Sequence, residues 1–138
     1  QLGQYTDLGS LGAASSTSNA TAINGLGWVV GSSRTPESYI HAFVWRHGTM
    51  IDLGTLPNGY SYSIAHGINL LGDVVGESLG GDGRARAVLW RAGRVVELPM
   101  PPGWLSAVAR GINMNGQIVG YGVDGANYQT RALLWTLE

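Results

Sequence analysis

An all-β fold is what this sequence predicts, and three observations carry the expectation. Its apolar stretches are short and bounded by Gly, Pro, Ser and Asn, which punctuate rather than continue an element. No window holds apolar residues at helical spacing over about ten positions. The 22 glycines in 138 residues also weaken any helix, because Gly in a helix interior costs about 1 kcal/mol relative to Ala. Third, the short stretches recur at a fixed spacing of about 45 residues, the mark of a tandem repeat. The chain therefore reads as a single repeat domain, 1–138, with units of about 5–49, 50–94 and 95–138.

Each unit is built from the same anchors in the same order. An acid followed by Leu comes first: Asp7-Leu8, Asp52-Leu53 and Glu97-Leu98. A Gly-, Pro- and Ser-rich loop follows, then Ile-Asn: Ile23-Asn24, Ile68-Asn69 and Ile112-Asn113. Asn and Gly tolerate positive φ, so segments such as Asn24-Gly25-Leu26-Gly27 suit tight hairpin turns. The next strand carries Val29-Val30-Gly31, Val74-Val75-Gly76 and Ile118-Val119-Gly120. A variable polar loop leads to His41-Ala42-Phe43-Val44-Trp45, Arg86-Ala87-Val88-Leu89-Trp90 and Arg131-Ala132-Leu133-Leu134-Trp135. A second turn, Arg46-His47-Gly48 or Arg91-Ala92-Gly93, returns the chain to the acid-Leu strand.

Four strands per unit follow, and runs such as Phe43-Val44-Trp45 lack polar alternation, as strands buried on both faces do. Stacked four-stranded blades bury both faces, so the expectation is three four-stranded β-propeller-like blades. The alternative is a β-trefoil with three pseudo-symmetric repeats. Propellers typically have about four to eight blades. Three are expected to be completed by other chains, as a dimer or an open filament. The chain begins on Tyr5-Thr6-Asp7-Leu8, read as a strand, and stops just past the third Trp strand, so the last unit is expected to lack its acid-Leu strand and each open end to fit the other. It opens at Gln1 rather than Met, as a processed product or an excised piece does, and any signal peptide is expected to be gone.

Composition narrows the function classes. Net charge is −1, which gives no electrostatic case for nucleic acid or an anionic membrane surface. No apolar run approaches the roughly 18 residues of a spanning helix. Cysteine is absent, so there is no disulfide framework or thiolate metal site. Charged residues are 12% and apolar residues 44%, which argues against disorder.

No catalytic residue is assigned, because no HExxH, P-loop, Gly-x-Ser-x-Gly elbow or GxGxxG opening a helix is present. No metal and no cofactor are expected: Gly80-Gly81-Asp82-Gly83 brings one carboxylate, far short of a calcium ligand set. Asn24, Asn69 and Asn113 are explained by turn geometry, and Trp45, Trp90 and Trp135 by core packing. His41, Arg86 and Arg131 hold one repeat position and Asp7, Asp52 and Glu97 another, and the two sets are expected to pair across neighbouring strands, the alternative being repeated anion sites using Arg. The candidate ligand-binding residues are loop aromatics, Tyr39, Tyr60, Tyr62, Trp104 and Tyr128, which suit a sugar ring or a partner chain. The triplet Asn19-Ala20-Thr21 is an N-glycosylation sequon.

The string His41-Ala42-Phe43-Val44-Trp45, the run Ile-Asn-x-x-Gly-x-Val-Val-Gly and Asp52-Leu53-Gly54-Thr55-Leu56 together resemble the HAF family of probable extracellular repeats of bacteria. The resemblance spans all three units, and Arg86, Arg131, Val88, Leu133 and Glu97-Leu98-Pro99 depart from it. It implies a secreted or surface repeat protein and no established catalytic residue. The expected role is a non-catalytic, extracellular, self-associating module with a structural or recognition function and a glycan or surface protein as partner. The alternatives are a carbohydrate-binding lectin and a hydrolase with its site in a propeller channel.

Overall fold

A computed structural model describes residues 2–138. It contains eleven strands and no helix among the described residues. They are β1 (Ser18–Ile23), β2 (Val29–Arg34), β3 (Ile40–Arg46), β4 (Thr49–Asp52), β5 (Ser63–Ile68), β6 (Val74–Leu79), β7 (Ala85–Arg91), β8 (Arg94–Glu97), β9 (Trp104–Ile112), β10 (Gln117–Asp124) and β11 (Thr130–Thr136). Three antiparallel meanders result, ordered β1-β2-β3-β4, β5-β6-β7-β8 and β9-β10-β11. None closes into a barrel.

Positions one sequence period apart hold the same register. Val30 faces Val44, Val75 faces Leu89 and Val119 faces Leu134. The Gly ending each Val/Ile-Val-Gly anchor sits beside a register shift in the preceding strand. A Cβ there would lie 1.8–2.0 Å from a carbonyl oxygen of Asn19, Ile64 or Val108. These glycines are therefore fixed by a β-bulge that brings two backbones together. The hairpin turns at His47-Gly48 and Ala92-Gly93 place both central residues at positive φ, the twist-matched geometry for two-residue loops.

Two apolar cores lie between the sheets. One joins the first two and contains Val30, Val44, Ala65, Val74, Val88 and Trp90. The other joins the second and third and contains Val75, Leu89, Leu98, Ala109, Ile118 and Trp135. Successive residues of the middle sheet, Val74 and Val75 or Val88 and Leu89, enter opposite cores. That explains why its strands read as continuous apolar runs. Each such side chain contributes about 1.5–3 kcal/mol through burial.

The last unit lacks its acid-Leu strand as expected, so the described residues form sheets of four, four and three strands rather than three of four. One expectation is corrected: Tyr5-Thr6-Asp7-Leu8 is not a strand, because it pairs with no neighbouring edge among the described residues. No further sheet covers the outer face of the third among the described residues, so β11 is not buried on both faces: Leu134 is 60% exposed, where its counterparts Val44 and Leu89 are 5% and 3%. No helix among the described residues is long and apolar enough to cross a membrane.

Candidate interaction site

The polar residues that recur between units gather at the junctions between sheets. At the first junction His41, on β3, bonds the Asp52 carboxylate through Nδ1 at 2.9 Å. Its Nε2 meets the Ser61 hydroxyl at 2.7 Å. Asp52 also accepts the Gly54 N–H, closing the turn that leaves β4. With Nδ1 protonated, the imidazole accepts the Ser61 proton at Nε2, an order of groups that resembles a hydrolase relay. The second junction argues for a clip instead. Arg86 takes the place of His41, bonding Asp82 at 2.8 Å and lying 3.7 Å from Glu97. A guanidinium cannot accept a proton, so what the two junctions share is a cross-strand contact between a basic side chain and a carboxylate.

Three further bonds of the first junction tie it to the next unit. The Ala42 N–H donates to Ser63 Oγ, whose own proton goes to the Gly54 carbonyl. The Thr21 hydroxyl donates to the Ala65 carbonyl at 2.7 Å. The Asn24 side-chain amide donates to the Asn69 carbonyl at 3.0 Å, and the Asn69 amide donates in turn to the Asn113 carbonyl at 3.1 Å. Turn geometry accounts for half of each Asn, since each side-chain oxygen accepts N–H groups of its own hairpin. The amides of Asn24 and Asn69 supply a ladder running across all three sheets, while the Asn113 amide meets Gln117 in its own hairpin.

Buried beside that ladder, Asp73 accepts two bonds from Arg91, at 2.8 and 2.9 Å. The Arg91 hydrogen bond holds its carboxyl below the usual range, helped by Asn69 and opposed by burial, and the same pairing raises Arg91. His66 and Glu77 bond at 2.7 Å on the middle sheet. A cleft of about 480 Å³ opens between the first two sheets, lined by Trp28, Arg46, Asp73, Trp90 and Arg91 among others. The Arg46 guanidinium covers the Trp28 ring in it, 4.9 Å from the centroid.

The five aromatics singled out from the sequence fall into two groups. Tyr39, half exposed, stacks on His41. Tyr62 bridges to Ile40, and burial, then the Glu77 charge, push its phenol up. Tyr60 is exposed and donates its N–H to the Leu79 carbonyl. These three belong to the first junction. Trp104 opens β9 opposite Asp124, and Tyr128 stands 76% exposed at positive φ in the β10–β11 loop, so this pair belongs to the third sheet.

The residues missed in the sequence are small hydroxyls. Ser61, Ser63 and Ser78 carry the junction, and Ser16, Ser18 and Ser33 stand 45 positions before them. Ser33 and Ser78 accept the N–H of Leu11 and Leu56, and Ser18 and Ser63 donate to the carbonyls of Gly9 and Gly54. Residues 9–18 thus fold onto the first sheet as 54–63 fold onto the second. The chain matches no protein-family model, no curated protein and no solved structure.

Proposed function

We propose that this chain is a non-catalytic, extracellular or cell-surface repeat module of propeller-like blades, resembling HAF repeats, that associates with itself head to tail. One observation carries the proposal. Positions that are buried or half-buried at the two internal junctions stand exposed at the two outer faces and stay apolar there. On the third sheet Val119 is 53% and Leu134 60% exposed. On the first sheet Ile23 is 66% exposed, and Ala20, whose counterparts Ala65 and Ala109 are fully buried, is exposed as well. Each face matches one side of an internal junction, so the two are complementary to each other rather than to themselves. Such a contact is heterologous and closes a ring or runs on as a filament. The absence of a closed barrel among the described residues favours blades over a trefoil.

Light scattering on the purified chain tests this. The expected result is a mass in multiples of 14.5 kDa that rises with concentration. A mass of one chain throughout the millimolar range refutes it.

A further inference from the structure

Self-association requires a seam, and the internal junctions specify one. This inference rests on the head-to-tail association proposed above. We infer that residues 4–7 of one copy form the fourth strand of another copy's third sheet, latched by Arg131 of the acceptor on Asp7 of the donor.

The donor side is already shaped. Asp7 accepts the Gly9 N–H at 2.9 Å, as Asp52 accepts that of Gly54 at 2.8 Å. Residues 9–18 are fixed on the first sheet by the Leu11–Ser33 and Ser18–Gly9 bonds. The preceding segment, 4–8, has no strand partner among the described residues. Asp7 itself is exposed and, among the described residues, pairs with no basic side chain, whereas its counterparts Asp52 and Glu97 lie against His41 and Arg86.

The acceptor side supplies such a side chain. Arg131 occupies the position of His41 and Arg86, and among the described residues its guanidinium meets the Gln129 side chain and no carboxylate. The outer edge of β11 is unpaired among the described residues. The register follows from Phe43 opposite Asp52 and Val44 opposite Ile51, repeated by Val88 opposite Glu97 and Leu89 opposite Val96. It places Asp7 opposite Leu133 and Thr6 opposite Leu134. Two more contacts are copied with it. The Ala132 N–H reaches Ser18 Oγ as Ala42 reaches Ser63, and the Asn113 amide extends the ladder to the Asn24 carbonyl.

A charge-swap mixing experiment tests the latch. R131E and D7R each place like charges across the seam, so each alone should weaken association about ten-fold or more in sedimentation. Mixed one to one, they restore opposite charges at every mixed seam and should recover assembly. Because both residues are exposed, the variants keep the fold, and recovery on mixing itself reports it. In the chain carrying T6C and L134C, which otherwise has no cysteine, oxidation should yield disulfide-linked oligomers. A wild-type chain that stays monomeric overturns self-association and the latch together. A wild type that assembles, with R131E and D7R assembling equally well or failing to rescue each other, overturns the latch alone. Oxidation that yields only circularised monomers also overturns it.

Discussion

Replacing Asn69 by Ala separates the ladder from the turn. Asn69 is 5% exposed and makes three side-chain bonds: it accepts the Asp73 N–H at 2.9 Å and donates to the Asn113 carbonyl and the Asp73 carboxylate at 3.1 and 3.2 Å. Its φ is not positive, so Ala adds no backbone strain. Each net bond is worth about 1 kcal/mol, and leaving the buried Asp73 N–H unpaired adds about 1 kcal/mol more. The sum is about 4 kcal/mol. Asn113→Ala is the control. Asn113 is exposed, and its side chain bonds only within its own hairpin among the described residues, where water can substitute, so about 1 kcal/mol is expected. Urea unfolding followed by tryptophan fluorescence reads the difference. With a slope of about 2 kcal/mol per molar urea, the two midpoints should differ by about 1.5 M. Protein concentration is held where the midpoint no longer depends on it, because assembly adds apparent stability. Equal midpoint shifts for the two variants would refute the ladder and return Asn69 to a turn residue.

Other outcomes follow from the same geometry. Gly76→Ala drives a Cβ to 2.0 Å from the Ile64 carbonyl, so a loss of about 3 kcal/mol or more is expected in the same titration. Ala92 sits at φ 52° in a two-residue turn, so Ala92→Gly should raise stability by about 1 kcal/mol, seen as a higher thermal midpoint. The lowered Asp73 carboxyl stabilises the fold above the unfolded carboxylate range near about pH 4. That contribution disappears as pH falls through the folded value. Arg91→Ala should cost about 2 kcal/mol at neutral pH and bring acid unfolding to higher pH, which circular dichroism across pH 2–7 checks. Ser61 should remain unlabelled by fluorophosphonate, since its hydroxyl serves as a clip. Covalent labelling there would reopen the hydrolase reading.

The sequence showed those parts of the fold that obey a short period. Asn with Gly marked the hairpins, and the basic His41 and the acid Asp52 lay on strands joined by a two-residue turn, so their pairing was readable. The Tyr5-Thr6-Asp7-Leu8 segment carried the same local signal as Thr49–Asp52. It fails to form a strand because pairing depends on an edge that local sequence does not encode. Ser61 and Ser63 were missed for a related reason. Their partners, His41 and Ala42, lie 20 and 21 residues away across a sheet-to-sheet junction. The 45-residue recurrence of Ser16 with Ser61, and of Ser18 with Ser63, was the available signal. The glycine ending each Val/Ile-Val-Gly anchor was visible as a recurrence, but its cause lies on another strand at the bulge.

What differs between units then points to where recognition would sit. The junction positions hold their character: Ala20, Ala65 and Ala109 are identical, and the pairs His41–Asp52 and Arg86–Glu97 change residue while keeping a basic side chain opposite an acid. The loops joining β2 to β3 and β6 to β7 share one backbone closure, Thr35 with Tyr39 and Ser38 repeated as Gly80 with Arg84 and Gly83, but the side-chain bonds differ in all three loops, β10 to β11 included. Thr35 caps the first, Asp82 with Arg86 braces the second, and Asp124 caps the third. A protein that bound one ligand identically at every unit would repeat those side chains as faithfully as it repeats Ala65. A scaffold that repeats its joints and varies its rim is suited to assembly first. A partner would then read a rim whose aromatics, Tyr39 and Tyr60 near one junction and Tyr128 on the third sheet, differ from unit to unit.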